Sequence, residues 1–221
     1  SFILFREIYN KNTFLIPDFS AGLQFRIIKE KEYFLKGNIS RNSKIPTMND
    51  MYWFPGGNPD LKNEYAFIYE FSYEMVHRLG DPLDLKYDVS VFYNNIKNMI
   101  QWHPGQYSYW TADNIRNVNS RGLESSVSLD YSDDRFNCKL NAAYSFTRAE
   151  AKGLKIENDM SAGKQLMYIP ENQINASFRI GFNNIYSSWI VNYAGKRYTS
   201  VDNSKFLPEY CINNIGAGIK L

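Results

Sequence analysis

From Tyr65 to Met75 a large apolar side chain falls on every second position. Tyr65, Phe67, Tyr69, Phe71, Tyr73 and Met75 alternate with Ala66, Ile68, Glu70, Ser72 and Glu74. Successive side chains of an extended chain point to opposite faces, so this segment predicts a strand with one oily and one largely polar face. The rhythm recurs. Phe19, Leu23, Phe25 and Ile27 oppose Ser20, Gln24 and Arg26; Leu85, Tyr87, Val89 and Val91 oppose Lys86, Asp88 and Ser90; Leu140, Ala142, Tyr144 and Phe146 oppose Lys139, Asn141 and Ser145. About ten strands are expected, near 2–9, 13–28, 33–42, 64–77, 82–101, 107–131, 135–150, 168–184, 185–198 and 208–221.

Alternation alone also fits a soluble sandwich, so the connections carry more weight. Short polar turns at 29–32, 77–82, 132–135 and 183–186 alternate with longer stretches at 42–64, 103–114, 150–169 and 200–208. Tight turns on one rim and long loops on the other are the plan of a membrane-spanning barrel. Several segments exceed the usual globular strand and reach the ~10 residues of a tilted bilayer crossing. The expected fold is therefore all-β, an antiparallel up-and-down transmembrane β-barrel wall, with residues 1–221 forming part of a single barrel domain. Lipid would cover the oily faces, since no helical pattern is present to do so. At about 25 cal/mol per Å² of apolar surface, each aromatic moved out of water contributes a few kcal/mol.

Composition supports the boundary between oil and water. The chain holds 17 Tyr and 15 Phe, yet its mean hydropathy is negative. Tyr is the aromatic that favours one wet end. No run approaches the ~18 apolar residues of a spanning helix, and a net charge of +2 is too small and dispersed to suggest nucleic acid. Cys138 and Cys211 are distant in sequence and lack CxxC spacing, so neither a metal site nor a redox pair is expected. His103, a single histidine before Pro104, reads as a solvated loop residue.

Candidate ligand-binding residues cluster in two predicted loops. The first holds Asn49, Asp50, Tyr52, Trp53 and Asn58 around a Pro-Gly-Gly-Asn-Pro core. That core is a turn signal, so the structural reading folds the loop over the barrel mouth, and the functional reading gives Tyr52 or Trp53 to a ligand. The second holds Trp102, Tyr107, Tyr109 and Trp110. An interfacial aromatic girdle and a ligand surface both account for it. Glu70, Glu74, Lys86, Asp88, Glu124, Lys139 and Arg179 are expected to face a wet lumen, because charges there meet water or another protein segment. Glu70 and Glu74 are the nearest approach to a carboxylate pair, but they lack a nucleophile, base or metal partner, so no enzyme is expected.

From Arg41 the chain reads RNSKIPTMNDMYWFPGGNPDLKNE, and later WTADNIRNVNSRGLE and GKQLMYIPENQINASF. These segments resemble the barrel region of TonB-dependent outer-membrane receptors, most nearly the cobalamin-receptor-like branch of Bacteroidota. The resemblance implies a barrel of about 22 strands filled by a plug, of which this chain would supply about ten. It implies location in the outer membrane of a Gram-negative bacterium, binding of a scarce nutrient such as cobalamin, a siderophore or haem through external loops, and import energised by the TonB complex. The expected partners are outer-membrane lipid, TonB through the plug, the nutrient and a surface lipoprotein, with no cofactor. A leader, the plug, the TonB box, earlier strands and the final strand are expected to lie outside this sequence. The rival reading is a soluble β-sandwich binding module or an outer-membrane adhesin that displays its loops.

Overall fold

Ten strands pair antiparallel into one sheet that follows the chain order, in a computed structural model that describes residues 2–9, 12–78, 82–104, 109–152 and 162–219. They are β1 (Phe2–Tyr9), β2 (Asn12–Arg26), β3 (Glu32–Lys44), β4 (Glu64–Arg78), β5 (Leu83–Pro104), β6 (Trp110–Ser132), β7 (Phe136–Lys152), β8 (Asn172–Phe182), β9 (Ile185–Ala194) and β12 (Tyr210–Ile219). A short helix α1 (Met48–Tyr52) follows β3, and β10 (Arg197–Tyr198) with β11 (Phe206–Leu207) forms a separate two-stranded ribbon.

Register converts the alternation in each strand into two continuous faces. Leu23, Gly37, Phe71, Val91, Leu123 and Phe146 are successive partners across β2 to β7. One residue along, the row is Gln24, Lys36, Ser72, Ser90, Glu124 and Ser145, continuing to Gln173 on β8. A slip of one residue in any pair would mix the rows, which is how side-chain pattern specifies register. The phase holds along these rows, and the β5–β6 ladder shifts only beyond them, between Ile96 and Ile100.

Among the described residues no second layer packs on the oily face. Leu23 stays 70% exposed, Phe71 53% and Ile215 78%, and the two-residue strands of the β10–β11 ribbon are too short to cover ten. A sandwich would bury this face between two sheets, so the soluble-sandwich reading loses its structural basis. Among the described residues the buried apolar side chains are Ile100, Ala112, Val118, Ala149 and Ala151, all toward the long-loop end. The sheet is a wall with a small dry patch at one rim.

Tight turns close the other rim through local chemistry. In the β6–β7 connection Asp133 accepts the backbone N–H groups of Arg135 at 2.9 Å and Phe136 at 2.8 Å. Those two bonds, chief among its contacts, hold its carboxyl below the ordinary aspartate value against a small desolvation penalty. Between β8 and β9, Asn183 takes φ of 51°, the left-handed conformation that Asn tolerates in a two-residue hairpin turn.

Four boundaries depart from the pattern-based expectation. The stretch 103–114 is not a long loop, because β5 runs to Pro104 and β6 begins at Trp110, with Trp102 paired to Ala112. Backbone pairing out to Pro104 and Trp110 carries the ladder into that stretch, and short and long connections therefore do not alternate strictly. The expected helix-free loop contains α1, nucleated by a cap too local to register as periodicity. The strand expected over 185–198 stops at Ala194, and the residues beyond it make β10. The strand expected over 168–184 begins at Asn172, since the preceding residues bond irregularly, the Tyr168 N–H to the Tyr198 carbonyl and the Glu171 carbonyl to the Thr147 N–H.

Candidate functional site

The long-loop rim carries the candidate site, and its first part is built around Asp50. Thr47 is the N-cap of α1 and Asp50 the third helical residue. The Thr47 N–H donates to Asp50 Oδ2 at 2.9 Å, the Thr47 hydroxyl donates to the same oxygen at 2.8 Å, and the Asp50 N–H returns a 3.1 Å bond to Thr47 Oγ1. This reciprocal box satisfies helix-end donors that would otherwise be orphaned. The other oxygen, Oδ1, accepts the indole N–H of Trp102 at 2.9 Å. Burial resists ionisation of Asp50, but the Thr47 and Trp102 donors and the positive charge of Lys44 outweigh it, holding the carboxyl below its usual value.

The remainder of the loop is fastened to β6. Gly56 is buried and its carbonyl accepts the Ala112 N–H at 2.9 Å. A Cβ at Gly56 would lie 1.7 Å from the Trp110 carbonyl oxygen, so only glycine fits this approach. Asn58 donates through Nδ2 to Asp113 at 2.9 Å, and Asn114 joins Lys62 to Asn98 by accepting the Lys62 N–H at 2.6 Å while donating to the carbonyls of both. Asn98 has φ of 54° within a register shift of the β5–β6 ladder, and its Nδ2 donates to the Asn63 carbonyl at 3.4 Å.

This geometry divides the predicted loop residues. Asp50 and Asn58 are occupied in holding the loop, and Trp102 is half-buried as the donor to Asp50. Asn49, Tyr52, Trp53 and Trp110 present exposed side chains, while Tyr109 is half-buried. Tyr107 lies outside the described residues. Sequence reasoning passed over Phe54, which is 91% exposed beside Trp53. The signal was available, since an aromatic triplet at 52–54 is poor loop composition unless its rings have a surface to meet.

A second rim assembly involves residues 162–171 and 195–209. The side chain of buried Gln165 accepts the Ala149 N–H at 2.9 Å and donates to the carbonyls of Thr147 and Ile169, both at 3.2 Å. Its backbone exchanges two bonds with the Asn203 amide, of 3.0 and 2.9 Å. Asn203 sits at φ of 60°, and its neighbour Asp202 is held at about 2 by hydroxyl and backbone donors of Ser200 and Ser204. The β7 edge beyond Phe146 thus finds partners in the loop rather than in β8. Neither Gln165 nor Asn203 was marked in the sequence, because a lone amide carries no periodic signal.

The expected lumen residues fall together on the polar face. Glu74 is opposite Asp88, Asp88 opposite Ser126, Glu124 opposite Ser145, and Lys139 opposite Arg179. Lys36 donates to Glu74 and the Ser126 hydroxyl to Asp88, while Lys139 pairs with Asp130 at 3.0 Å. Glu70 and Lys86 share the face by register. These half-exposed pairs contribute little to stability, and their effect is to line one side of the wall with fixed, water-compatible charge.

Comparison with known proteins gives a consistent result. A family model described as TonB dependent receptor-like, beta-barrel, matches residues 9–221. The vitamin B12 transporter BtuB of Photobacterium profundum is 26% identical over 195 residues, covering 83% of this chain and 28% of that protein. Its counterpart in Vibrio vulnificus is 40% identical over 82 residues, covering 37% of this chain and 13% of that protein. The chain thus spans less than a third of either relative. Among solved structures, the siderophore receptor PiuA of Acinetobacter baumannii superimposes with a TM-score of 0.68 at 18% identity, covering 95% of this chain and 30% of that one.

Proposed function

Because the chain belongs to the TonB-dependent receptor β-barrel family, we propose that it forms part of the wall of an outer-membrane importer, with its oily face in lipid and its polar face toward the lumen. The observation that carries this reading is the pair of adjacent rows from β2 to β7, one from Leu23 to Phe146 that is apolar and one from Gln24 to Ser145 that is polar, with Leu23, Phe71 and Val91 left exposed. Alternate rows of this kind are stable only where one side meets hydrocarbon and the other meets water. The nutrient is captured at the long-loop rim, where Tyr52, Trp53, Phe54 and Trp110 offer exposed rings and Asn49 an exposed amide. Large planar faces with a few placed polar groups are what ligand surfaces use.

Cobalamin is the first cargo to test, since both curated relatives are named as vitamin B12 transporters. Ferric siderophores are the second, on the solved receptor with the same fold. Import is driven by TonB through a plug that docks against Glu70, Glu74, Lys86, Asp88, Glu124, Lys139 and Arg179. The test is binding of cyanocobalamin and of a panel of ferric siderophores to the full-length protein in detergent, with uptake compared in cells with and without TonB. Saturable binding of one compound and TonB-dependent uptake are expected; a full-length protein that remains in the aqueous phase without detergent would refute the membrane reading outright.

A further inference from the structure

The oily face changes character toward the loop rim of β5, β6 and β7. Val91, Leu123 and Phe146 form one row, and the next row on the same face is Tyr93, Arg121 and Arg148. Beyond it stand Asn95, Asn119 and Glu150, and then Lys97 on β5 and Lys152 on β7. Four cations and one carboxylate thus cap a face whose next row below, Val91, Leu123 and Phe146, is apolar.

Arg121 and Arg148 are directly opposite each other across the β6–β7 ladder, where like charges repel. Glu150 offsets part of this. Its Oε1 accepts the Arg148 Nε–H at 2.5 Å and its Oε2 lies 3.7 Å from Arg121 Nη2. The carboxylate is 16% exposed, whereas the guanidinium side chains are 58% and 48% exposed. Each guanidinium carries five donors, and Glu150 engages one of them by hydrogen bond, the Arg148 Nε–H. The site beneath is ordered, since buried Asn119 accepts the Asn95 amide at 3.4 Å.

A pair of outward guanidiniums suits bidentate contact with phosphate, and the oily rows immediately below suit acyl chains. One kind of molecule joins both features. We infer that Arg121 and Arg148, with Lys97 and Lys152 at their flanks, bind the phosphorylated headgroup of a lipid in the membrane leaflet at the loop rim, its acyl chains lying on the row of Val91, Leu123 and Phe146. The inference rests on the membrane placement proposed above. Charge complementarity and continuity with the oily face select a lipid over a free anion, which would gain nothing from the rows below.

Native mass spectrometry of the delipidated full-length protein in detergent tests this. The probes are lipid A carrying its phosphates, the same lipid enzymatically dephosphorylated, and inorganic phosphate. Phosphorylated lipid A is expected to be retained, and Arg121→Gln with Arg148→Gln to lower its retention about tenfold. Equal retention by the wild type and the double variant, equal retention of the dephosphorylated lipid, or displacement by an equimolar concentration of inorganic phosphate would each overturn the site. Should the double Gln variant fail to assemble, Arg121→Lys with Arg148→Lys keeps the charge without the forked donors. Its retention is expected to be intermediate and to fall with added salt, and salt-independent retention also counts against the proposal. Insertion of the wild type into vesicles of zwitterionic lipid is scored separately. Failure there defeats the membrane placement, whereas insertion with no preference for phosphate defeats only this site.

Discussion

The indole N–H of Trp102 donates a 2.9 Å hydrogen bond to the buried carboxylate of Asp50, 52 residues earlier in the chain. It couples the helix in the first rim loop to the far end of β5, and it uses a charged acceptor whose other oxygen is already engaged by Thr47.

Trp102→Phe is expected to loosen residues 45–63 while leaving the sheet intact. Loss of one bond to a charged group costs about 1.5–3 kcal/mol of local stability, read as faster amide hydrogen exchange confined to that loop. Unchanged exchange would show the bond to be incidental. The same contact is pH-dependent. The folded-state pKa of Asp50 lies below its unfolded value of 3.8, so the folded loop binds fewer protons and is stabilised at higher pH. Its protection is complete above that value and is lost as pH falls through the folded pKa.

Facing can be tested at adjacent residues. Tyr69→Arg places a cation on the oily face at a cost of about 2–4 kcal/mol at mid-bilayer, and is expected to prevent assembly of the full-length protein in the outer membrane. Glu70→Arg, on the opposite face, is expected to assemble. Heat-modifiable migration in gels reads both, and equal behaviour would contradict the assigned faces.

Gly56→Ala is expected to undock the first loop, because the new methyl would collide with the Trp110 carbonyl. Gly37→Ala serves as the control, since a Cβ there meets nothing within 4 Å. Protease cleavage within 45–63 should rise sharply for the first variant and not for the second.

Gln165→Ala removes three side-chain hydrogen bonds at once and leaves the Ala149 N–H without its partner. A loss of about 2–4 kcal/mol in local stability is expected from bonds of this kind. It should appear as enhanced hydrogen exchange at 147–149 and 162–171, with β2 to β5 unaffected.

Trp53→Ala and Phe54→Ala are expected to weaken nutrient binding by about tenfold or more each, in line with aromatic contributions at binding surfaces, without altering assembly. Affinity equal to wild type in both variants would move the capture surface elsewhere on the rim.

The wall was legible because its signal is long and redundant. Tyr65 to Met75 repeats one instruction over eleven positions, and partner strands must match it or expose the wrong face. The rim was less so, because single residues decide its structure. Asp50 was grouped with the candidate ligand residues, and its bonds to Thr47 and distant Trp102 carried no periodic signal. The stretch around His103 was read as loop because Pro and Gly usually end strands, and cross-strand pairing between Trp102 and Ala112 continued the ladder through it. Phe54 was overlooked because it adjoins a Pro-Gly-Gly run that reads as turn.

The two rim assemblies are fastened to different supports. Residues 45–63 are locked onto the starts of β6 and the end of β5, whereas Gln165 and Asn203 lock the later pair of loops to each other and to β7. If the rim captures cargo as proposed, one plate can be exchanged while the other retains its shape, and a chimera grafting only 45–63 from a relative is expected to alter binding without rebuilding the rest of the mouth.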